Sequence, residues 1–321
     1  MSRDPSLVLL PGPWEHRYVA ANGARFHVAS AGDGPLVLFL HGLPQFWWAW
    51  RHQLTGLAEA GYRAVALDLR GYGASDKPPT GYDGYTLAAD VAGVVRSLGE
   101  TDAVIVGHGL GAWLAWTMPS LQPESVRGLV VLSAPHPAEF SCGLSLLRHR
   151  VAHRTVNRLE RGFPSERTSP RGPARVQELL TSWRGDDRSW PTVEECARYS
   201  EAMSIPFVAS SAAEGYRWVL RSRVRLSARA YRRAVYRPVP VPVLQFHGTQ
   251  DRVCSPEWAA RSRRWVDGRY LWRPVDGAGH APHEQAPEVV TEEIRRWLDR
   301  AMSAREDGQD GGPDGNGPVR P

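Results

Sequence analysis

The stretch Val104-Ile105-Val106-Gly107-His108-Gly109-Leu110-Gly111 decides how this chain is read. Val104–Val106 has the look of a short buried strand. It runs straight into GHGLG and then into an apolar stretch, Leu110–Leu121, that reads as a helix. Small-x-nucleophile-x-small at a strand-to-helix junction is the nucleophile elbow. Its glycines permit a very tight turn, and its central residue points into a pocket from a strained backbone position. Here the central residue is Gly109, so the turn is kept and the nucleophile is absent.

Working outward, short apolar runs alternate with helix-like segments. Leu36–Leu40 is a strand ending at HGLP, Phe46–Ala60 a helix, Ala64–Leu67 a strand, Tyr85–Leu98 a helix and Leu129–Leu132 a strand. Such alternation predicts an α/β fold, a mostly parallel sheet with helices on both faces. The pattern breaks over residues 136–240, where helices are expected at Val193–Met203 and Ala212–Arg229 and a loop at 161–173 (RGFPSERTSPRGP). It resumes with a strand at Val243–Phe246, a helix from Pro256, a strand near Tyr270–Trp272 and a last amphipathic helix, Glu288–Ala301. The expected organisation is a core domain of residues 1–135 and 241–303 with a helical cap, 136–240, inserted in it. Residues 304–321, rich in Gly, Pro and Asp, read as a disordered tail.

Composition excludes several classes. The 321 residues are 42% hydrophobic and 23% charged, an ordinary globular mix. Three scattered cysteines (Cys142, Cys196 and Cys254) form neither a disulfide framework nor a zinc module. The apolar run Leu7–Leu10 is too short for a signal-peptide core, and no segment reaches the ~18 apolar residues of a membrane helix. A cytoplasmic protein without membrane contact is expected. Net charge is +5, but residues 136–240 hold 19 arginines against 10 acidic residues, a net of +9. That excess favours an anionic ligand or partner. The eight arginines from Arg217 to Arg237 read as a solvated helix face. No recognition motif accompanies them, so nucleic acid is not an expected partner.

Three further segments carry chemistry. His41-Gly42-Leu43-Pro44 follows an early strand, where an oxyanion loop belongs, with Leu43 as its N–H donor beside that of Leu110. Asp251, in HGTQDRVCSP, lies just past a strand at a position suited to a catalytic acid, and also to a simple loop cap. His280 lies in the Gly-rich loop GAGHAPHEQAP. His280 and His283 have a metal-like spacing, but no third ligand is evident, and neither metal nor cofactor is expected. His108 fits best packed beneath the turn. Trp47, Trp48 and Trp50, with Trp113 and Trp116, read equally as pocket lining or as plain core.

Together these segments resemble the α/β-hydrolase superfamily, and most closely its epoxide-hydrolase-like branch. HGLPQFWWAWR (41–51) is similar to that branch's HGxPxxxxxWR, DLRGYGASDKP (68–78) to its DxRGxGxSxxP, and SAPHP (133–137) to the start of its cap. The resemblance spans roughly residues 14–303. It implies that a carboxylate or serine belongs at the Gly109 position, that Asp251 and His280 are the acid and histidine, and that Tyr216 matches the second of two cap tyrosines holding the epoxide oxygen. No match to the first is found, because Leu146–Glu160 carries Arg and His where aromatics belong. His41, Trp47 and Trp48 would then join Tyr216 around the substrate.

Without a nucleophile, what remains is a general base and an oxyanion site. Three readings stay open: an enzyme using non-covalent general-base chemistry on a small organic substrate, a small-molecule-binding pseudoenzyme, and a module whose Arg-rich cap engages an acidic partner. Substrate identity and oligomeric state are not legible.

Overall fold

The apolar runs build one eight-stranded sheet in the computed structural model, which describes residues 4–141, 172–223 and 225–306. The strands are β1 (Glu15–Ala21), β2 (Ala24–Ala31), β3 (Leu36–Leu40), β4 (Arg63–Leu67), β5 (Ala103–His108), β6 (Val126–Leu132), β7 (Val243–Gly248) and β8 (Tyr270–Val275). Their order across the sheet is β1-β2-β4-β3-β5-β6-β7-β8. All neighbouring pairs from β4 to β8 are parallel; β1 with β2 and β2 with β4 are antiparallel. Every residue of β3 and β5 is buried, as befits parallel strands covered on both faces.

Sequence reading placed no strand before Leu36. The first two form a hairpin closed by Asn22-Gly23, both at positive φ (45° and 72°), the backbone a two-residue primed turn demands.

Helices α1 (Arg51–Glu59), preceded by a 3-10 turn at Trp47–Trp50, α2 (Gly84–Ser97) and α3 (Leu110–Leu121) follow β3, β4 and β5. Residues 172–235 add α4 (Gly172–Trp183), α5 (Val193–Met203), α6 (Val208–Ser222) and α7 (Arg229–Val235). Among the described residues of 136–240, none belongs to a strand of the sheet. The single helix expected over Ala212–Arg229 is two. It begins earlier, just after Phe207 at φ 68°, ends at Ser222, and a second starts at Arg229. Most of the loop expected at 161–173, and Cys142, lie outside the described residues; Gly172 and Pro173 already belong to α4. Helices α8 (Pro256–Ala260), α9 (Pro282–Gln285) and α10 (Pro287–Glu306) complete the chain. The last helix carries on through 304–306, because Ala301–Glu306 contains good helix formers and no breaker precedes Asp307 and Gly308. The rest of the expected tail lies outside the described residues.

Register sets the site. Leu40 pairs with both Leu67 and Gly107, and Gly107 with Val131, so the carboxyl ends of four central strands finish level. Loops leaving that edge are where ligands bind in open α/β sheets. The turn from β5 into α3 is exceptionally close. A Cβ at Gly107 would stand 2.3 Å from the Gly111 carbonyl oxygen, and one at Gly111 only 2.1 Å from that of Leu40. Backbone cannot give way as a side chain can. Gly111→Ala should therefore cost about 3 kcal/mol or more of stability, at the severe end of overpacking. Urea unfolding of the purified variant measures this, and a cost below 1 kcal/mol would show that the turn is not pinned there.

Candidate active site

A buried carboxylate fixes the loops around the elbow. Asp68, at the end of β4, accepts the Trp47 N–H (2.9 Å), the Ala74 N–H (2.9 Å) and a hydrogen bond from His27 Nδ1 (2.8 Å). Burial opposes its charge, but the His27 interaction and these N–H donors outweigh it, and its pKa lies below the ordinary carboxylate value. Gly73 is required beside it. At φ +48° a Cβ would meet the carboxylate at 2.0 Å. His41 joins the same two loops, donating from Nδ1 to the Gly42 carbonyl (2.8 Å) and accepting the Leu69 N–H at Nε2 (3.2 Å). Burial lowers its pKa, so it is a neutral strut.

Gly109 sits at the tip of the elbow with φ 55° and ψ −112°, a region that only glycine adopts without strain. Its surroundings contrast with those of Gly107 and Gly111. A Cβ built on Gly109 has one neighbour within 4 Å, the Gly42 Cα at 3.7 Å, which is ordinary contact. The turn therefore has room for a side chain and carries none. Leu110 is the first residue of α3, so its N–H has no acceptor within the helix and joins the positive end of the helix dipole.

Asp251 and His280 arrive from the loops after β7 and β8. Asp251 Oδ2 accepts from His280 Nδ1 at 2.8 Å, and His247 Nε2, which donates to the Cys254 carbonyl at 2.8 Å, lies 3.0 Å from the same oxygen. Its Oδ1 accepts the N–H groups of Val253 (2.8 Å) and Cys254 (3.1 Å). Burial would favour the neutral acid, but the two histidines and these donors dominate and hold the carboxyl far below its usual range. With Nδ1–H committed to Asp251, the His280 Nε2 lone pair is left free to act as a base. The His280 loop lies beside the elbow. Its carbonyl accepts from Nε2 of His108, the residue before Gly109, at 2.8 Å, and the two rings lie 5.2 Å apart. It is clamped from the other side by the end of α4. His280 N–H bonds to the Trp183 carbonyl at 2.8 Å, and a Cβ on Gly279 would stand 1.9 Å from that oxygen.

Other candidates divide. Tyr216 is on α6, whose neighbouring Gly215 faces a Leu110 side-chain methyl, so this helix lies over the elbow. Burial raises the Tyr216 pKa well above the ordinary phenol value, so its hydroxyl keeps its proton. Trp47 is wholly buried among Trp14, His16 and His27 and donates its indole N–H to the Val8 carbonyl (2.7 Å), serving the core. Trp48 lies beneath the Arg51 guanidinium (3.9 Å) and meets Tyr199 edge to face. Leu43 is buried, its loop pressed on the elbow. Two residues went unnoticed in the sequence. His247 is the second histidine on Asp251. Tyr72 is a buried tyrosine whose ring meets His41 at 4.8 Å and whose hydroxyl has no partner. Its phenol is electrostatically coupled to Tyr216. Only the Gly-Tyr-Gly sequence around Tyr72, next to the His41–Pro44 loop in space, is available as a signal. Among the described residues no cluster of three or more His, Cys, Asp or Glu side chains is placed to hold a metal, and no helix is long and apolar enough to cross a membrane.

Because the Asp251 pKa is depressed on folding, its stabilisation is complete above the unfolded value of about 4 and is lost as pH falls below it. Asp251→Asn should cost about 3 kcal/mol at pH 7, the scale for breaking a buried charged pair. The gap between wild type and variant should close as pH falls from about 5 toward 2. Denaturant titrations across that range check both the size and the sign.

Comparison with known proteins agrees with this fold. The model of the alpha/beta hydrolase family matches residues 37–293. The AB hydrolase superfamily protein YfhM of Bacillus subtilis is 30% identical over 291 residues, covering 88% of this chain and 97% of that protein. Epoxide hydrolase 4 of Mus musculus is 31% identical over 308 residues, covering 92% of this chain and 82% of that protein. Among solved structures, a laboratory-evolved variant of the potato epoxide hydrolase superposes with a TM-score of 0.75 at 27% identity, covering 89% of this chain and 99% of the other. The chain belongs to the alpha/beta hydrolase family and, within it, resembles the epoxide hydrolases.

Proposed function

We propose that this protein hydrolyses a small organic electrophile, an epoxide or an activated ester, by general-base chemistry without a covalent intermediate. Gly109 occupies the nucleophile position, Asp251 and His280 are the working pair, and the Leu43 and Leu110 N–H groups form the oxyanion site. The observation that carries this reading is the contrast at the elbow: Asp251 and His280 are fully assembled while the position they would serve is a glycine with open space around it. A pure binding protein has no need of that pair.

In the proposed reaction a water molecule stands in the space that a nucleophile side chain would fill. His280 Nε2 takes a proton from it as its oxygen attacks the electrophilic carbon. The carbon–oxygen bond of the substrate breaks, and the departing oxygen is met by donors that keep their protons, the Tyr216 hydroxyl and the backbone N–H groups. The imidazolium, stabilised by Asp251, then returns the proton. Residues 136–240 serve as a cap, and its net charge of +9 draws anionic ligands toward the pocket. The substrate is the only partner that this reading requires.

A carboxylate at residue 109 would repel an anion held by the Leu43 and Leu110 amides. Gly109→Asp should weaken binding of a carboxylate or phenolate product by about 1–3 kcal/mol, the scale of a disrupted charge-assisted contact. Calorimetric titration of both proteins measures it, and equal affinities would place the anion elsewhere. In a panel of epoxides and p-nitrophenyl esters, wild type should turn over at least one substrate, and His280→Ala should lose 10²-fold or more. Binding without turnover in wild type would make the protein a ligand-binding relative of hydrolases instead.

A further inference from the structure

A second set of buried ionisable groups lies behind the elbow and takes no part in the chemistry above. Gln45, His108, His283 and Glu284 are all buried, the Glu284 side chain completely so. They form a chain of contacts. His108 Nε2 lies 2.8 Å from the His280 carbonyl. His108 Nδ1 lies 2.8 Å from one amide atom of Gln45, assigned as oxygen. The other amide atom, assigned as nitrogen, is 2.5 Å from Glu284 Oε1 and 3.3 Å from His283 Nε2. At its far end Glu284 Oε2 accepts from the Tyr199 hydroxyl (2.5 Å) and from Arg51 (3.1 Å), whose other nitrogen pairs with Glu195 at 2.6 Å. Glu195 is fixed in turn by the capping box at the start of α5.

Counting donors fixes the protons in this chain. The His280 carbonyl only accepts, so His108 carries its hydrogen on Nε2. If His108 is neutral, Nδ1 is a lone pair and needs a donor. The Gln45 amide must then turn its NH₂ toward His108 and its carbonyl toward Glu284, an exchange that a 180° rotation makes freely. Glu284 Oε1 must in turn present an O–H. The alternative is a doubly protonated His108 donating to the Gln45 carbonyl, with the NH₂ on an ionised Glu284. A neutral His108 beside an ionised Glu284 sets two acceptors face to face whichever way the amide points. The chain thus holds one proton, on Glu284 or on His108.

Two observations place it on Glu284. The second arrangement puts an imidazolium and a carboxylate in a fully buried site, where burial opposes both. It drives the His108 pKa down to about 3 and raises that of Glu284. The groups facing Glu284 also balance: Arg51 is matched by Glu195, Tyr199 and the buried His283 are neutral, and burial and Arg51 lower the pKa of the neighbouring His52. An ionised Glu284 would leave one guanidinium between two carboxylates.

We propose that Glu284 is protonated at neutral pH and acts as a positioning residue. Its O–H bond to Gln45 locks His108 as the Nε2–H tautomer, and His108 then holds the backbone of His280. Through Tyr199 and the Arg51–Glu195 pair, the same proton links α5 to the His280 loop. The consequence for catalysis rests on His280 being the base; the location of the proton does not.

The test reads the proton directly, in the full-length wild-type protein. Infrared spectra at pH 7 should contain the C=O stretch of a protonated carboxyl that disappears in Glu284→Gln. Nitrogen-15 spectra of labelled histidine should show His108 neutral with hydrogen on Nε2. Glu284→Gln reproduces the neutral acid, so its melting temperature should match wild type near pH 5. Above that it should pull ahead by a few degrees as pH rises, because a carboxyl with a raised folded pKa loses stabilisation as pH climbs through that value. In the reaction, Glu284→Ala should shift the pH profile and Glu284→Gln should restore it. A doubly protonated His108 with no Glu284 carboxyl band overturns the proposal, and that spectrum decides even if a variant fails to fold. Correct spectra without turnover would remove the hydrolase reading and leave the proton where it is placed here.

Discussion

Everything at this site depends on how closely the backbone of α3 approaches β3 and β5. The Leu40 carbonyl occupies the space that a Gly111 side chain would need, and the Gly111 carbonyl that of Gly107. Two glycines are thereby forced by contact with main chain, and the turn between them is forced with them. Gly109 is a different matter. Its conformation is the strained one that the crowding imposes, but no neighbour excludes a side chain. Glycine at 109 relieves strain of order 1–3 kcal/mol and removes a reactive group at the same position. The fold keeps the geometry of a nucleophile turn because its neighbours require it, whether or not a nucleophile is present.

Two buried carboxylates divide the remaining work. Asp68 is satisfied by backbone N–H groups and His27, which makes it a structural pin between β2 and the loops after β3 and β4. Asp251 is satisfied on one oxygen by backbone and on the other by His280, with His247 Nε2 close by, which leaves His280 oriented. The same chemistry thus gives rigidity in one place and an oriented imidazole in the other, and the difference lies in what the second imidazole nitrogen is left to do. Glu284, another buried carboxyl, faces one guanidinium already shared with Glu195, and it is the one proposed to keep its proton.

Much of this was legible before any coordinates, where local pattern and tertiary demand coincide. Helix Leu110–Leu121 and helix Val193–Met203 have the boundaries the pattern gives, because a glycine turn starts one and a Thr192–Glu195 capping box starts the other. Strand Leu36–Leu40 is a fully buried apolar run with no competing reading. The first hairpin escaped because Glu15–Ala21 is largely exposed and lacks an apolar rhythm, although Asn22-Gly23 marks its turn. The break between Ser222 and Arg229 escaped because an arginine-rich stretch has uniform helix propensity and no punctuation. At the candidate site, the loops of Asp251 and His280 mark the two residues in the sequence, and the structure joins them by a hydrogen bond. His247 and Tyr72 are not so marked, since only the packing of distant segments gives them partners or leaves them without one. Trp47 shows the converse: an aromatic in a run of aromatics carries no mark of which face it will occupy.

The central claim is that an assembled acid–histidine pair works here without a covalent intermediate. A single turnover in ¹⁸O-labelled water, with excess protein over an epoxide that it accepts, tests this most directly. Attack by water activated at His280 places ¹⁸O in the product of the first turnover and leaves the protein mass unchanged. Unlabelled product from that turnover, or label or substrate mass retained on the protein, would show that some side chain serves as the nucleophile and would contradict the role assigned to Gly109.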